Sequence, residues 1–141
     1  MIKFYCEDVE LPQFNQRVVK KVLKSEVELN GFTLGIVNCI FCSDPFLLNL
    51  NIKFLEHDYY TDVITFDYTE KGKISGDIYI SIDMVRYNAL NYGQGYNDEL
   101  FRVISHGMLH LLNFNDKEKE EIELMRIKES ELIFKIHSLI D

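Results

Sequence analysis

Hydrophobic residues in the first part of the chain gather in short runs that have the length and composition of β-strands. These runs are rich in Ile, Val, Phe and Tyr, and residues typical of turns bound them. We predict strands at residues 1–7, 33–42, 61–68 and 74–82. The sequence Lys71-Gly72-Lys73 predicts a turn between the last two strands. Gly76, inside the last run, indicates a bulge or a close approach of another backbone.

Between and after these runs, hydrophobic residues recur with helical spacing. We predict helices at residues 12–28, 44–55, 83–93, 97–112 and 117–141. Asp44, Asp83 and Asn97 are the predicted N-caps, because a short polar side chain can accept a hydrogen bond from a free N–H of the first turn. The helix at 97–112 is apolar nearly all round, which predicts a central, buried helix.

The order of the predicted elements indicates an α+β fold. The chain has 141 residues, 47% hydrophobic and 27% charged, without a repeat or a Pro/Gly-rich linker. We therefore expect a single domain over residues 1–141 with ordinary globular composition. No unbroken apolar run approaches the roughly 18 residues of a membrane span, and no leader segment opens the sequence. We expect a soluble, cytoplasmic protein that has no membrane partner.

Acidic residues outnumber basic ones, with 23 Asp and Glu against 15 Lys and Arg, a net charge of −8. This balance disfavours binding of nucleic acid over a broad positively charged surface, because such binding depends on neutralising phosphates. It leaves room for a local basic patch. Arg17, Lys20, Lys21 and Lys24 share one face of the first predicted helix. That face is either a solvated surface or a surface that contacts phosphate.

Cysteines are too few, and odd in number, for a disulfide framework: the chain has Cys6, Cys39 and Cys42. Cys39 and Cys42 have the CxxC spacing of some zinc sites. However, they fall in the predicted strand 33–42, where residues three apart point to opposite faces of the sheet. We interpret both as structural cysteines.

The central predicted helix carries the candidate metal site. His106 and His110 lie four residues apart, so both imidazoles occupy the same helix face. Asn113 can end the helix, because Asn tolerates the left-handed conformation. The chain could then bring Asp116 back to the two histidines. Three ligands with an open fourth position describe a catalytic zinc site. Alternatively, Asp116 is the N-cap of the last helix.

The spacing of these three residues matches that of the metzincin proteases. In those enzymes, the residue after the first histidine is a glutamate that acts as general base. This chain has Gly107 there, which weakens a proteolytic interpretation. Glu99, seven residues before His106 on the same face, could orient an imidazole. The remaining histidines, His57 and His137, are interpreted as structural or surface residues.

Three motifs, in the same order, resemble the YbeY family of bacterial endoribonucleases that mature ribosomal RNA. That family reads His-Gly-x-Leu-His-Leu-x-Gly-Tyr-Asp-His where residues 106–116 read His-Gly-Met-Leu-His-Leu-Leu-Asn-Phe-Asn-Asp. Residues 61–66, Thr-Asp-Val-Ile-Thr-Phe, are similar to the family's Thr-Asp-Val-Leu-Ser-Phe strand. Residues 76–78 keep its Gly-Asp-Ile. The motifs lie between residues 61 and 116 of the chain.

The resemblance implies a zincin-like α+β domain, in which a mixed four-stranded sheet packs against the metal-bearing helix. It also implies a metal-dependent endoribonuclease that cuts single-stranded RNA in 3′ end maturation of small-subunit ribosomal RNA and in ribosome quality control. The expected cofactor is one divalent metal ion, zinc, held by His106, His110 and Asp116. The RNA would enter between the strand at 61–66 and the central helix.

Two departures from the family bear on the catalytic residues. Asp116 stands where the family has a third histidine. The family's arginine that follows a Leu-Asn pair is missing, and Lys53 is the nearby cation. Thr65 keeps a hydroxyl where the family has serine. Lys53 and Thr65 are therefore the catalytic candidates. Two alternatives stay open: a metal-dependent hydrolase of another substrate, including peptides, and a non-catalytic ribosome-assembly factor with a structural metal.

Overall fold

The computed structural model describes residues 1–140, which form one mixed β-sheet covered by five helices. The strands are β1 (Ile2–Cys6), β2 (Thr33–Cys42), β3 (Val63–Asp67) and β4 (Lys73–Ser81). The helices are α1 (Gln16–Leu29), α2 (Asp44–Leu55), α3 (Ile82–Asn91), α4 (Tyr96–Leu111) and α5 (Lys119–Ile140). The predicted α+β class is confirmed. None of the helices within residues 1–140 combines the length and apolarity needed to cross a membrane.

The four strands lie in the order β1-β2-β4-β3. β2 pairs parallel with both β1 and β4, while β3 pairs antiparallel with β4. The predicted turn joins β3 to β4, and its residues Lys71 and Gly72 both have positive φ, 52° and 75°. Such a pair has the right twist for a tight hairpin. β1 and β3 are consequently the two edges of the sheet.

Two glycines, one on helix α4 and one on β4, allow the helix to pack closely on the sheet. A Cβ on Gly107 of α4 would lie 2.5 Å from Cγ2 of Ile78 on β4. A Cβ on Gly76 of β4 would lie 2.5 Å from the Phe66 carbonyl oxygen and 2.9 Å from Cδ2 of Leu111. Gly76 therefore marks a close approach of neighbouring groups. This was one of the two alternatives that the sequence indicated, the other being a bulge. The core is formed largely by α4 and this face of the sheet. As predicted, α4 is the central buried helix.

Helix α2 covers the opposite face of the sheet. Its Leu47 packs with Cys42 of β2 and Ile64 of β3 in a second, smaller apolar cluster. Since side chains alternate along a strand, Ile64 points toward α2 whereas Val63 and Thr65 point toward α4. Val63 lies beside Gly107, which agrees with that alternation. β3 is thus an edge strand between two helices.

The predicted helix caps were wrong at three helix starts. The caps of α2 and α3 are Ser43 and Ser81, whose hydroxyls accept hydrogen bonds from Phe46 N–H and Met84 N–H at 3.3 and 3.2 Å. Asp44 and Asp83 lie in the first turns instead, where a carboxylate is also favourable. Helix α4 begins after Gly95 without a side-chain cap, so Asn97 is already helical.

The other boundaries differ by a few residues. Helix α1 begins at Gln16, four residues later than predicted, because Asn15 caps it by accepting a hydrogen bond from Val18 N–H at 3.1 Å. β3 is shorter than the predicted strand 61–68, and α5 begins two residues later than residue 117. β2 and α2 have the predicted bounds.

Candidate metal centre

The candidate metal site lies where α4 ends and the chain reverses. Asn113 has φ of 72°, the left-handed conformation predicted for it. The turn is closed by the N–H of Phe114, which donates to the Leu109 carbonyl at 3.0 Å. It also places the Phe114 carbonyl oxygen 3.1 Å from Nδ1 of His110. The same reversal returns Asp116 to the face of α4 that carries the histidines.

Three side-chain atoms converge at this point. Nε2 of His106 and Nε2 of His110 lie 2.9 Å apart. Oδ2 of Asp116 is 3.1 Å from the first and 3.4 Å from the second. The three side chains are partly buried, with exposed fractions of 15%, 26% and 38%. Within residues 1–140, only this group of His, Cys, Asp or Glu residues could hold a metal ion through three ligand atoms.

The donor set fits a tetrahedral metal ion. Zinc bonds of 2.0–2.2 Å place neighbouring ligand atoms about 3.3–3.5 Å apart, close to the separations found here. Both Nδ1 atoms face acceptors, the carboxylate of Glu129 and the carbonyl of Phe114. Each ring therefore carries its proton on Nδ1, which leaves the Nε2 lone pairs pointing at one another and at Asp116. A cation between these atoms relieves the repulsion of three electron-rich groups.

Glu129 of α5 is the residue that orients His106. Its Oε2 lies 2.5 Å from Nδ1 of His106, and its side chain is only 2% exposed. Its Oε1 has no hydrogen bond, although Nη1 of Arg102 lies 3.5 Å away as an ion-pair contact. Glu99 does not perform the suggested orienting role. It binds Arg102 through Nε at 2.9 Å.

The pKa values of the two histidines move in opposite directions. Burial disfavours a charged His106, but the hydrogen bond to Glu129 and the negative charge of Glu129, Asp62 and Asp116 outweigh it, so its pKa is raised. The pKa of His110 is lowered by burial and by the neighbouring His106. His106 therefore accepts a proton more readily than His110.

Asp116 is separate from the start of the last helix. The first helical hydrogen bond of α5 runs from Ile122 N–H to the Glu118 carbonyl. Glu118 N–H in turn donates to Oε1 of Glu121 at 2.9 Å. Asp116 precedes these residues and contacts the two imidazoles, so the alternative role as N-cap is wrong.

A cleft of about 340 Å³ opens beside His110, between α2, β3 and α4. Its wall is formed by Asn51, Leu55, His57, Tyr59, Thr61, Val63, Ile64, Thr65 and His110. Thr65, one catalytic candidate, therefore lies in the same cleft as a candidate metal ligand. Lys53, the other candidate, is exposed on α2 and is not part of this wall. His57 does form part of this wall. Its interpretation as a structural or surface residue did not include a place in the cleft.

The two cysteines of the CxxC spacing are buried on different faces of β2. Cys39 belongs to the main core and Cys42 to the cluster under α2. All three cysteines are free thiols. The prediction that Cys39 and Cys42 point apart is confirmed.

Comparison with known proteins extends the resemblance from the three motifs to nearly the whole chain. A family model described as Endoribonuclease YbeY matches residues 1–137. An endoribonuclease YbeY from Parabacteroides distasonis is 48% identical over 129 residues, 92% of this chain and 91% of the relative. One from Bacteroides thetaiotaomicron is 42% identical over 132 residues, 94% of this chain and 96% of the relative.

A solved structure has the same fold. The solution structure of a Thermotoga maritima protein superimposes with a TM-score of 0.67 at 26% sequence identity, and the match covers 96% of this chain and 89% of that chain. Together with the family match over residues 1–137, this similarity places the sheet and its helices in a known architecture. The chain belongs to the endoribonuclease YbeY family.

Proposed function

We propose that this protein is an endoribonuclease that hydrolyses single-stranded RNA with one zinc ion, held by His106, His110 and Asp116. The observation that carries the proposal is the convergence of two imidazole nitrogens and a carboxylate oxygen beside an open cleft. Family membership supplies the class of reaction, which is the cleavage of RNA at internal phosphodiester bonds.

Zinc suits two neutral imidazoles and one carboxylate, with a fourth position left for substrate or water. Asp116 adds a negative charge and an oxygen ligand, which also widens the choice toward harder ions such as manganese. A divalent ion held here would supply Lewis acidity toward a phosphate oxygen and a water molecule. Glu129 contributes by keeping the His106 ring in the orientation and protonation state that a ligand needs.

The cleft beside His110 suits one unpaired nucleotide. Its 340 Å³ lies within the range of small-molecule sites, and Tyr59 and His57 form part of its wall. Their rings stack with centroids 5.1 Å apart at an angle of 19°. A base can stack on such a platform only when it is unpaired, which supports a preference for single strands. Thr65 is the better placed of the two catalytic candidates, because it forms part of the wall of the same cleft.

We further propose that the natural substrate is ribosomal RNA, at the 3′ end of the small-subunit precursor, and that the protein acts in the cytoplasm on or near the small subunit. We take residues 1–141 as one domain. These assignments follow the family and are consistent with a protein that carries a single candidate centre in residues 1–140.

The two alternatives have weaker support. A peptidase would need a general base next to His106, and Gly107 packs against Ile78 with no room for a side chain. A structural metal would not need a cleft at its ligand, yet His110 forms part of the wall of one. Parallel assays on single-stranded RNA and on casein distinguish the two substrates.

The proposal is tested by metal content and RNA cleavage in ligand variants. His106→Ala and Asp116→Ala should each lose bound metal and most of the activity, since two protein ligands hold zinc poorly. Asp116→His, which restores the family's three histidines, should keep both. His137→Ala removes an exposed histidine that pairs with Asp98 and serves as the control. Full metal content and full activity in His106→Ala would overturn the mechanism.

A further inference from the structure

We propose that a basic groove between α1 and the β1 edge of the sheet binds the phosphate backbone of the RNA, away from the candidate metal centre. The groove has a volume of about 790 Å³ and is formed by Met1, Ile2, Lys3, Lys20, Lys21, Lys24 and Leu34. Of these described residues, four are lysines and none is acidic. This inference rests on the proposed action on RNA.

The charge of this groove contrasts with the rest of the molecule. The chain carries a net charge of −8, yet four of its 15 Lys and Arg residues surround one groove. Lys21 and Lys24 are exposed and form no ion pair within residues 1–140. The four lysines repel one another in this groove, and a bound polyanion removes that repulsion.

The candidate metal centre offers few basic side chains to an RNA. The cleft beside His110 has no lysine or arginine in its described wall. A second cavity, of about 230 Å³, lies beside His106 and Asp116 and includes two arginines. Arg102 is occupied by Asp62 and Glu99 there, which leaves Arg126 for a phosphate. Arg126 and the proposed metal ion could together contact only one or two phosphates, so the other phosphates of a long RNA need a further surface.

The geometry favours an extended strand over a compact ligand. The groove lies at the β1 edge, and the cleft lies at the β3 edge, three strand spacings away. That separation is at least about 14 Å across the sheet, so a single RNA molecule must span several nucleotides to reach both. Lysines suit this contact because their flexible side chains meet phosphates without reading sequence. Long RNA should therefore bind more tightly than short RNA.

The test compares two double variants that change the net charge equally. Lys21→Gln with Lys24→Gln alters the groove, and Lys119→Gln with Lys135→Gln removes two exposed lysines of α5. Binding of a labelled single-stranded RNA of about twenty nucleotides is followed by fluorescence anisotropy over a range of salt concentrations, with the RNA checked for integrity afterwards. Each phosphate contact contributes about 0.7 to the slope of log affinity against log salt.

The groove variant should lose about 1.4 from that slope and bind roughly tenfold less tightly at 0.1 M salt, while the α5 variant should match the wild type. Cleavage of the long RNA should show a raised KM with unchanged kcat. A dinucleotide, which is too short to span about 14 Å, should be cleaved equally by all three proteins. Equal slopes in the groove variant and the wild type, or equal losses in both variants, would overturn the proposal.

Failure of the proposed function would look different. A wild-type protein that binds the long RNA through the groove but does not cut it refutes the nuclease mechanism and supports the groove. A wild-type protein that binds no RNA refutes both. Circular dichroism and thermal melting of the variants show that the exposed substitutions leave the fold intact.

Discussion

Glu129 on α5 fixes the imidazole of His106 on α4, with Oε2 of the carboxylate 2.5 Å from Nδ1 of the ring. The two residues are 23 positions apart in the sequence and lie on different helices. It sets the tautomer that turns Nε2 toward the candidate metal position. The last helix of the chain therefore belongs to the site, although it supplies none of the three ligand atoms.

Glu129→Ala should weaken metal binding by about 10–100-fold, the usual effect of removing the partner of a metal-bound histidine. Glu129→Gln should lose less, because its amide oxygen can still accept the Nδ1 proton. Glu123→Gln, on the exposed side of α5, is the matched control and should bind metal normally. Affinities are measured by competition with a chromogenic chelator. If the Ala variant and the wild type bind metal equally, the orienting role of Glu129 is wrong.

The role of Glu129 could have been predicted from the hydrophobic pattern of α5, although Glu129 lies outside the three family motifs. The buried residues of α5 are Met125, Glu129, Leu132 and Ile136, spaced as one helix face. A carboxylate within an apolar stripe needs a buried partner, and a histidine on the neighbouring helix is a suitable one. Glu99, the partner suggested from the sequence, lies closer to His106 along the chain than Glu129 does. Its partner is Arg102, because a residue three positions away on the same helix is within direct reach.

The helices and strands, and the convergence of the candidate ligands, could be predicted because local rules determine them. The i,i+4 histidines and the left-handed Asn113 follow from helix geometry and turn chemistry alone. The N-caps could not be chosen in the same way. Ser43 and Asp44 are adjacent and both suit a cap, and the outcome depends on Asp83, whose Oδ2 accepts from Asp44 N–H at 2.8 Å. Such contacts between distant segments have no local signature.

Gly107→Ala should destabilise the protein by about 1–3 kcal/mol, since the added methyl would lie 2.5 Å from Cγ2 of Ile78. This outcome opposes helix propensity, which favours Ala over Gly by about 1 kcal/mol. Gly95→Ala is the control, because no atom lies within 4 Å of its Cβ position, and it should change stability by less than about 1 kcal/mol. Stability is measured by urea unfolding.

A double variant tests the stated cause of that loss. Ile78→Ala removes the methyl group that Gly107→Ala would meet, so the Gly107 substitution should cost little in the Ile78→Ala background. Strictly additive effects of the two substitutions would mean that the close packing of α4 on β4 is not the reason for glycine at position 107.

Cys39 and Cys42 should resist thiol reagents in the native protein. Burial raises the pKa of each thiol to about 12, with nearby carboxylates such as Asp8 adding to the effect at Cys42. The thiolate is the reactive form, and at pH 8 about one such thiol in ten thousand is ionised. A chromogenic disulfide reagent should therefore react quickly with one thiol, the exposed Cys6, and with all three in denaturant.

Cys6→Ser identifies the fast thiol, since it should remove the fast phase and leave the total in denaturant at two. A chelator should not change the native count, because the candidate metal ligands include no cysteine. Three fast thiols in the native protein, or a count that rises on chelation, would contradict the burial of the CxxC pair.

Tyr59→Ala should raise KM for single-stranded RNA about tenfold with little change in kcat, because stacking on an aromatic ring contributes about 1–3 kcal/mol per base. Tyr59→Phe keeps the ring and loses only the hydroxyl, which lies 3.0 Å from Nδ1 of His57, so it should behave like the wild type. The loop should keep its shape in both variants, since Asn51 holds the Tyr59 backbone carbonyl at 2.9 Å. Tyr87→Ala, at an exposed tyrosine of α3, is the control. A Phe variant as impaired as the Ala variant would assign the effect to the hydroxyl and refute the stacking role.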